Sequence, residues 1–149
     1  MALSYATLVE AQVYFDGRLH TGPWDNSDDP TRTKGLCQAT TIIDRLNFLG
    51  AKNDDAQELQ FPRDTDTVVP QDIKNATAEL TLALLDGVSP DLEFENLFMV
   101  SQGYSSVRSS YDRSTKQPHV LAGVPSITAW TFLKPYLRDP NQIDLNRTS

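Results

Sequence analysis

The stretch from Asp29 to Gly50 constrains the fold more than any other part of the chain. Leu36, Ala39, Ile43 and Leu46 recur at helical spacing, and Ile42 and Leu49 widen the apolar stripe. Asp29-Pro30 provides a cap followed by a proline in the first turn, where its missing N–H costs nothing. Gly50 is placed to end the helix in the left-handed conformation. A helix with such a stripe is stable only when other elements cover it, so the rest of the sequence is read for its partners.

Three further segments have the required pattern. Thr7 and Glu10 have capping-box spacing, and Leu8, Ala11, Phe15 and Leu19 line one side of a helix that Gly22-Pro23 closes. Pro70 starts another, with Ile73, Ala76, Leu80, Ala83 and Leu84 on one face, Lys74, Asn75 and Glu79 opposite, and Asp86-Gly87 as its stop. The last follows Gly123-Val124-Pro125, with Ser126 as cap and Ile127, Trp130, Leu133 and Leu137 facing the core. Pro135 should kink or end it, because its ring clashes with the preceding turn. Between the second and third helices, residues 51–69 read as a polar connection. Its Leu59-Gln60-Phe61-Pro62-Arg63 run is expected to form an ordered loop with Phe61 plugging the core.

From 88 to 122 the helical period disappears. Phe98-Met99-Val100 and Val107 to Tyr111 suggest two short strands joined around Gln102-Gly103-Tyr104. A lone hairpin is marginal in water, so this one is either an interaction arm or a surface hairpin folded onto its own helices. Residues 138–149 read as an extended polar tail with Ile143 and Leu145 as apolar points. The expected fold is therefore mainly α: a four-helix bundle with an inserted β-hairpin or extended arm and an extended C-terminal tail. The expectation is one domain over 1–149, with a helical core at about 7–87 and 124–137, the arm at about 88–122 and the tail at 138–149.

Charge and composition narrow the function. Thirteen basic residues against twenty acidic ones leave a formal charge of −7, and the basic residues are scattered. Such a surface repels phosphate unless the basic groups gather in space. Cys37 is the only cysteine, which excludes an internal disulfide; it reads as a small core residue in a reducing compartment. The N-terminus lacks signal-peptide character and no apolar run is long enough to cross a membrane. His20 and His119 form no metal spacing with Cys37 or paired acids, and there is no phosphate loop or nucleophile elbow. Asp28-Asp29, Asp54-Asp55, Asp64 and Asp66 read as solvated loop acids, and Trp24 and Trp130 as core or loop anchors. No catalytic, cofactor-binding or metal-binding residue is expected. The interface candidates are Tyr104, Arg108, Tyr111, Arg113, Arg138, Ile143 and Leu145. The first four could stack bases and contact phosphates, but in so acidic a chain a protein interface is the favoured reading.

Leu8-Val9-Glu10-Ala11 with Tyr14-Phe15 resembles the opening of small tailed-phage proteins labelled DnaT-like single-stranded-DNA-binding. The same holds for the run from Ala39 to Asp44, for Leu59-Gln60-Phe61-Pro62-Arg63, for Val69-Pro70 and for Ala76-Thr77-Ala78-Glu79-Leu80. The order of blocks also resembles head-to-tail connector adaptors of tailed phages, from about residue 7 to about 137. That resemblance implies a ring of identical subunits, commonly a dodecamer, between a portal protein and a stopper or tail protein. DNA would pass through its lumen without specific binding, and no membrane or cofactor is involved. It further implies a place in the virion neck after assembly in the host cytoplasm, with residues 138–149 docking on the portal. The 88–122 insertion is longer than in compact adaptors. The alternatives are a single-stranded-DNA-binding replication accessory protein and another neck ring such as a tail terminator.

Overall fold

Thr7 begins the first helix as the sequence predicts. Its hydroxyl accepts from the Glu10 amide at 3.1 Å, and the Glu10 carboxylate accepts from the Thr7 amide at 3.4 Å. The computed structural model describes residues 3–97, 101–104, 107–110 and 118–138. Helix α1 (Leu8–Asp16) turns Ala11 and Phe15 inward, but it is shorter than its apolar stripe. Leu19 lies beyond it and is 79% exposed. Gly22-Pro23, expected to close the segment, instead opens a short helix α2 (Gly22–Asp25). That turn drives Trp24 into the core, 4.8 Å from the Phe15 ring, with its indole N–H donating to Gln12 Oε1 at 2.9 Å.

Helix α3 (Asp29–Asp44) is capped by Asp28, one residue earlier than predicted, through a 3.0 Å bond from the Thr31 amide. It ends at Asp44, which leaves Leu49 and Gly50 in the following loop. Cys37 is half-buried rather than in the core. Helix α4 (Gln71–Leu85) follows Pro70. The segment read as lacking helical period contains α5 (Pro90–Leu97) and, beyond the strands, α6 (Pro118–Leu121). Strand β1 (Ser101–Tyr104) pairs antiparallel with β2 (Val107–Ser110), Ser101 opposite Ser110 and Tyr104 opposite Val107. Gln102 to Tyr104, read as a turn, therefore lie in a strand; residues 98–100 and 111 are outside the described residues. Ser126 caps α7 (Ile127–Leu133) by accepting from the Ala129 amide at 3.1 Å, and a 3-10 turn over Lys134–Tyr136 carries Pro135. Ile127, expected in the core, is 58% exposed.

The chain is mainly helical, with seven α-helices rather than four among the described residues. They are arranged around α4, against which α1, α2, α3 and α7 all pack. Ile73, Ala76 and Leu80 of α4 join Tyr5, Ile43, Phe61 and Leu133 in one core; Ala78 and Leu82 join Phe15, Trp24 and Leu36 in a second. A helix placed between two cores is buried on every side in its middle, residues 76–82, and this overturns the expectation that Glu79 points outward. Its side chain is only 3% exposed and is held by Arg18 Nε at 2.5 Å and the Tyr14 hydroxyl at 2.6 Å. Thr77 and Thr81 are buried too. Each hydroxyl donates to the carbonyl four residues back, at 2.8 and 2.7 Å, so neither is left unpaired.

A close contact between α3 and α4 passes through Gly35 of α3. A Cβ at that position would lie 2.8 Å from Thr81 Cγ2, so the two helices approach as closely as they do because no side chain intervenes. Gly35→Ala should therefore lower stability by about 1–3 kcal/mol despite its better helix propensity. Adding Thr81→Ser, which removes the opposing methyl and keeps the hydroxyl, should restore most of the loss. Chemical denaturation of the single and double variants checks both outcomes.

Candidate nucleic-acid interface

The loop after α3 is built around a buried cation. Arg63 Nε donates to the Leu49 carbonyl at 2.8 Å, Nη1 to Gln60 Oε1 at 2.8 Å and to its carbonyl at 3.3 Å, and Nη2 to the Gly50 carbonyl at 2.7 Å. Nη2 also reaches the Phe48 carbonyl at 3.5 Å. The guanidinium carbon lies 5.9 and 6.0 Å from the Phe48 and Phe61 rings, within cation–π range. Taking a guanidinium out of water costs several kcal/mol unless its donors are engaged, and here carbonyl dipoles engage them.

A second anchor fixes the other side of the loop. The Tyr5 hydroxyl donates to Asp44 Oδ1 and accepts from the Phe61 amide at 3.3 Å, while the Gln60 amide donates to the same carboxylate oxygen at 3.3 Å. Phe61 is buried between Tyr5, Phe48 and Tyr136, as the plug the sequence predicted. The loop acids are not merely solvated. Asp64 Oδ1 accepts from the Ala51 amide at 3.1 Å, and Asp54 Oδ1 from the Ala56 amide at 2.9 Å.

With the loop fixed, residues 47–49 lie alongside residues 136–138. The Leu49 amide donates to the Tyr136 carbonyl at 2.9 Å, and the Arg138 amide to the Asn47 carbonyl at 3.0 Å, around a bridge between Phe48 and Leu137. This junction creates a groove lined by Arg45, Leu46, Asn47, Ala122, Trp130, Leu137 and Arg138. A neighbouring hollow shares Leu46, Asn47 and Arg138 and adds Phe48, Gly50, Gln60 and Arg63. Among the described residues no carboxylate lines either one, although the chain carries twenty acidic residues. Arg45 and Arg138 are exposed and Trp130 is half-buried. Arg45 thus offers a guanidinium for phosphate oxygens and Trp130 an indole for stacking, the two elements with which proteins hold single strands.

Of the residues singled out from sequence, Arg138 reaches this groove. Tyr104 and Arg108 lie on the paired strands, Arg108 opposite Gly103. Tyr111, Arg113, Ile143 and Leu145 are outside the described residues. Arg45 and Trp130 were not picked out as interface residues. Arg45 follows the last turn of an amphipathic helix, where basic residues are common, and Trp130 sits at a core position in the helical pattern. Only the pairing of 47–49 with 136–138 brings them together. Among the described residues no three His, Cys, Asp or Glu side chains gather as metal ligands, and no helix is long and apolar enough to cross a membrane.

Fold and groove together define a mainly helical protein with an arginine- and tryptophan-lined surface channel. The family model described as "Putative DnaT-like ssDNA binding protein" matches residues 1–141, and the chain belongs to that family. Comparison with curated proteins and with solved structures gives no match.

Burial, with the Asp44 carboxylate beside it, raises the pKa of the Tyr5 phenol; burial and Glu79 do the same for Tyr14. Their protonated forms therefore contribute stability that is complete below the unfolded tyrosine value of about 10 and is lost as pH rises beyond it. In an alkaline titration these two phenols should ionise only as the helical circular dichroism signal collapses, and Tyr5→Phe should delete one late-titrating group. Ionisation of all five tyrosines near their ordinary pKa, with the helical signal intact, would contradict the assignment.

Proposed function

We propose that this chain is a non-catalytic DNA-binding protein that seats a short single strand in the groove between the end of α3 and the end of α7. The observation that carries the reading is the groove itself. Arg45, Arg138 and Trp130 meet on a lining that holds no carboxylate among the described residues, in a chain of net charge −7, so the local potential opposes the overall one. Membership of a family described by single-stranded-DNA binding supports it. The arginines neutralise phosphates, the indole stacks on a base without regard to sequence, and the surrounding acid surface keeps the footprint short. A replication accessory role fits such a site: a sequence-tolerant grip on a few nucleotides.

Fluorescence anisotropy with a short oligothymidine at low salt is the test. Binding should weaken steeply with added salt, and Arg45→Glu and Arg138→Glu should each flatten the salt dependence by a slope of about 0.7. Trp130→Leu should cost about 1–3 kcal/mol, the contribution of one stacked base. No binding at low salt, or binding indifferent to all three substitutions, overturns the reading.

A second reading, a phage head-to-tail adaptor forming a ring between portal and stopper, is favoured by a different observation. Val9 and Val13 lie one helical turn apart on α1 and are 72% and 67% exposed, an apolar stripe of the kind that heterologous ring contacts cover. Its net negative charge would then let DNA slide through the lumen, and the segments at 88–122 and 138–149 would grip the portal or neighbouring subunits. The protein would then reside in the neck of the virion. Mass measurement of the protein alone and with its portal separates the two readings. A stoichiometric ring supports the adaptor, and a monomer that ignores the portal while binding oligothymidine supports the first.

A further inference from the structure

The polar hollow beside the groove contains a side-chain amide whose orientation is fixed. The hollow has a volume of about 480 Å³ and joins the groove along Leu46, Asn47 and Arg138. Arg63 forms part of its wall, but all five of its N–H groups are directed to oxygens of Phe48, Leu49, Gly50 and Gln60. It therefore has no donor left for a ligand. What it does instead is orient a neighbour. Nη1 donates to Gln60 Oε1 at 2.8 Å, which settles which end of that amide is oxygen and which is nitrogen. Gln60 Nε2 then has no hydrogen-bond partner among the described residues, and it is not buried, so it reaches solvent where Gln60 lines the hollow.

We infer that the hollow takes the base next to the one stacked on Trp130, and that it prefers a keto base, thymine or guanine, over an amino base, cytosine or adenine. The inference rests on the single-strand reading of the groove and adds a base preference to it. Gln60 can only donate here. Thymine O4 and guanine O6 are acceptors on the base edge, whereas cytosine N4 and adenine N6 are amino donors that would face another amino group. An unconstrained glutamine can take adenine bidentately, but that pairing needs both ends of one amide, and Arg63 holds the oxygen. The Arg63 charge, with no carboxylate on the lining among the described residues, also attracts a carbonyl oxygen and repels amino hydrogens. Asn47, exposed on the same wall, can turn either end of its amide to either class of base and adds no preference.

The full-length protein can be titrated by anisotropy with short oligomers of dT and of dC, above neutral pH so that cytosine stays unprotonated. Both bases are pyrimidines, and the indole stacks on either, so the ratio of the two affinities reports the hollow. The dT oligomer should bind about fivefold more tightly, the net worth of one hydrogen bond. Gln60→Glu keeps an oxygen for Arg63 and turns an acceptor into the hollow, so the preference should reverse toward dC. Gln60→Met, which removes the donor, should bring the ratio to about one, with helical circular dichroism unchanged in both variants. Equal, salt-sensitive binding of the two oligomers by the wild type overturns the inference and leaves the groove reading standing. A ratio unmoved by both substitutions overturns it too, and no binding of either oligomer overturns the groove reading and the inference together.

Discussion

The guanidinium of Arg63 lies buried with no carboxylate against it among the described residues, and its charge is satisfied by the carbonyls of Phe48, Leu49, Gly50 and Gln60. That arrangement does more than neutralise a cation. It forces residues 48–50 to present their carbonyls inward and so leaves the Leu49 amide and the Asn47 carbonyl facing the strand-like segment after α7. The two bonds made there, to Tyr136 and from Arg138, join chain segments far apart in sequence. Arg45 and Arg138 become neighbours across the groove only as a consequence. The candidate binding surface is thus a product of one buried side chain that never needs to touch the ligand.

The same logic of buried polar groups runs through α4. Over residues 76–82, where α1, α2, α3 and α7 enclose it, the helix cannot send its polar side chains to water, so each has a partner supplied locally. Thr77 and Thr81 use their own helix's carbonyls, and Glu79 is met by Arg18 and Tyr14 from the α1 end of the molecule. On the α1 side, Lys74 is tied to Glu10 at 2.5 Å, and that cation holds the Glu10 carboxyl below its ordinary pKa. Unpaired, any of these groups would cost on the order of 1–3 kcal/mol. Their pairing leaves α4 as an axis with a core on either side.

Much of this was legible in the sequence, for identifiable reasons. Capping chemistry is local, so Thr7 with Glu10 and Ser126 with Ala129 could be read directly, and the stripes of α3 and α4 marked their inner faces. Phe61 was readable as a plug because Pro62 forbids a helix there. What failed was whatever depended on the number of neighbours. Glu79 looked like a solvent residue because periodicity assumes one buried face, whereas α4 is buried all round over residues 76–82. Leu19 lies beyond the end of its helix and Ile127 is the first residue of its own, and neither is covered. Helices α5 and α6 are short and begin at prolines 90 and 118, too brief to show a period. Among the site residues, Arg138 stood out as the start of a polar tail, but Arg45 and Trp130 acquire meaning only through the backbone pairing of 47–49 with 136–138. No spacing rule encodes a contact across ninety positions of chain.

Amide hydrogen exchange on Arg63→Met tests most directly whether that arginine sets the groove. The substitution keeps bulk against Phe48 and Phe61 but leaves the loop carbonyls without donors. Protection of the Leu49 and Arg138 amides should then fall by about ten- to a hundredfold, equivalent to roughly 1–3 kcal/mol, while amides in the middle of α4 stay protected. Undiminished protection at Leu49 and Arg138 would mean that the junction holds without its cation, and the account given for the groove would be wrong.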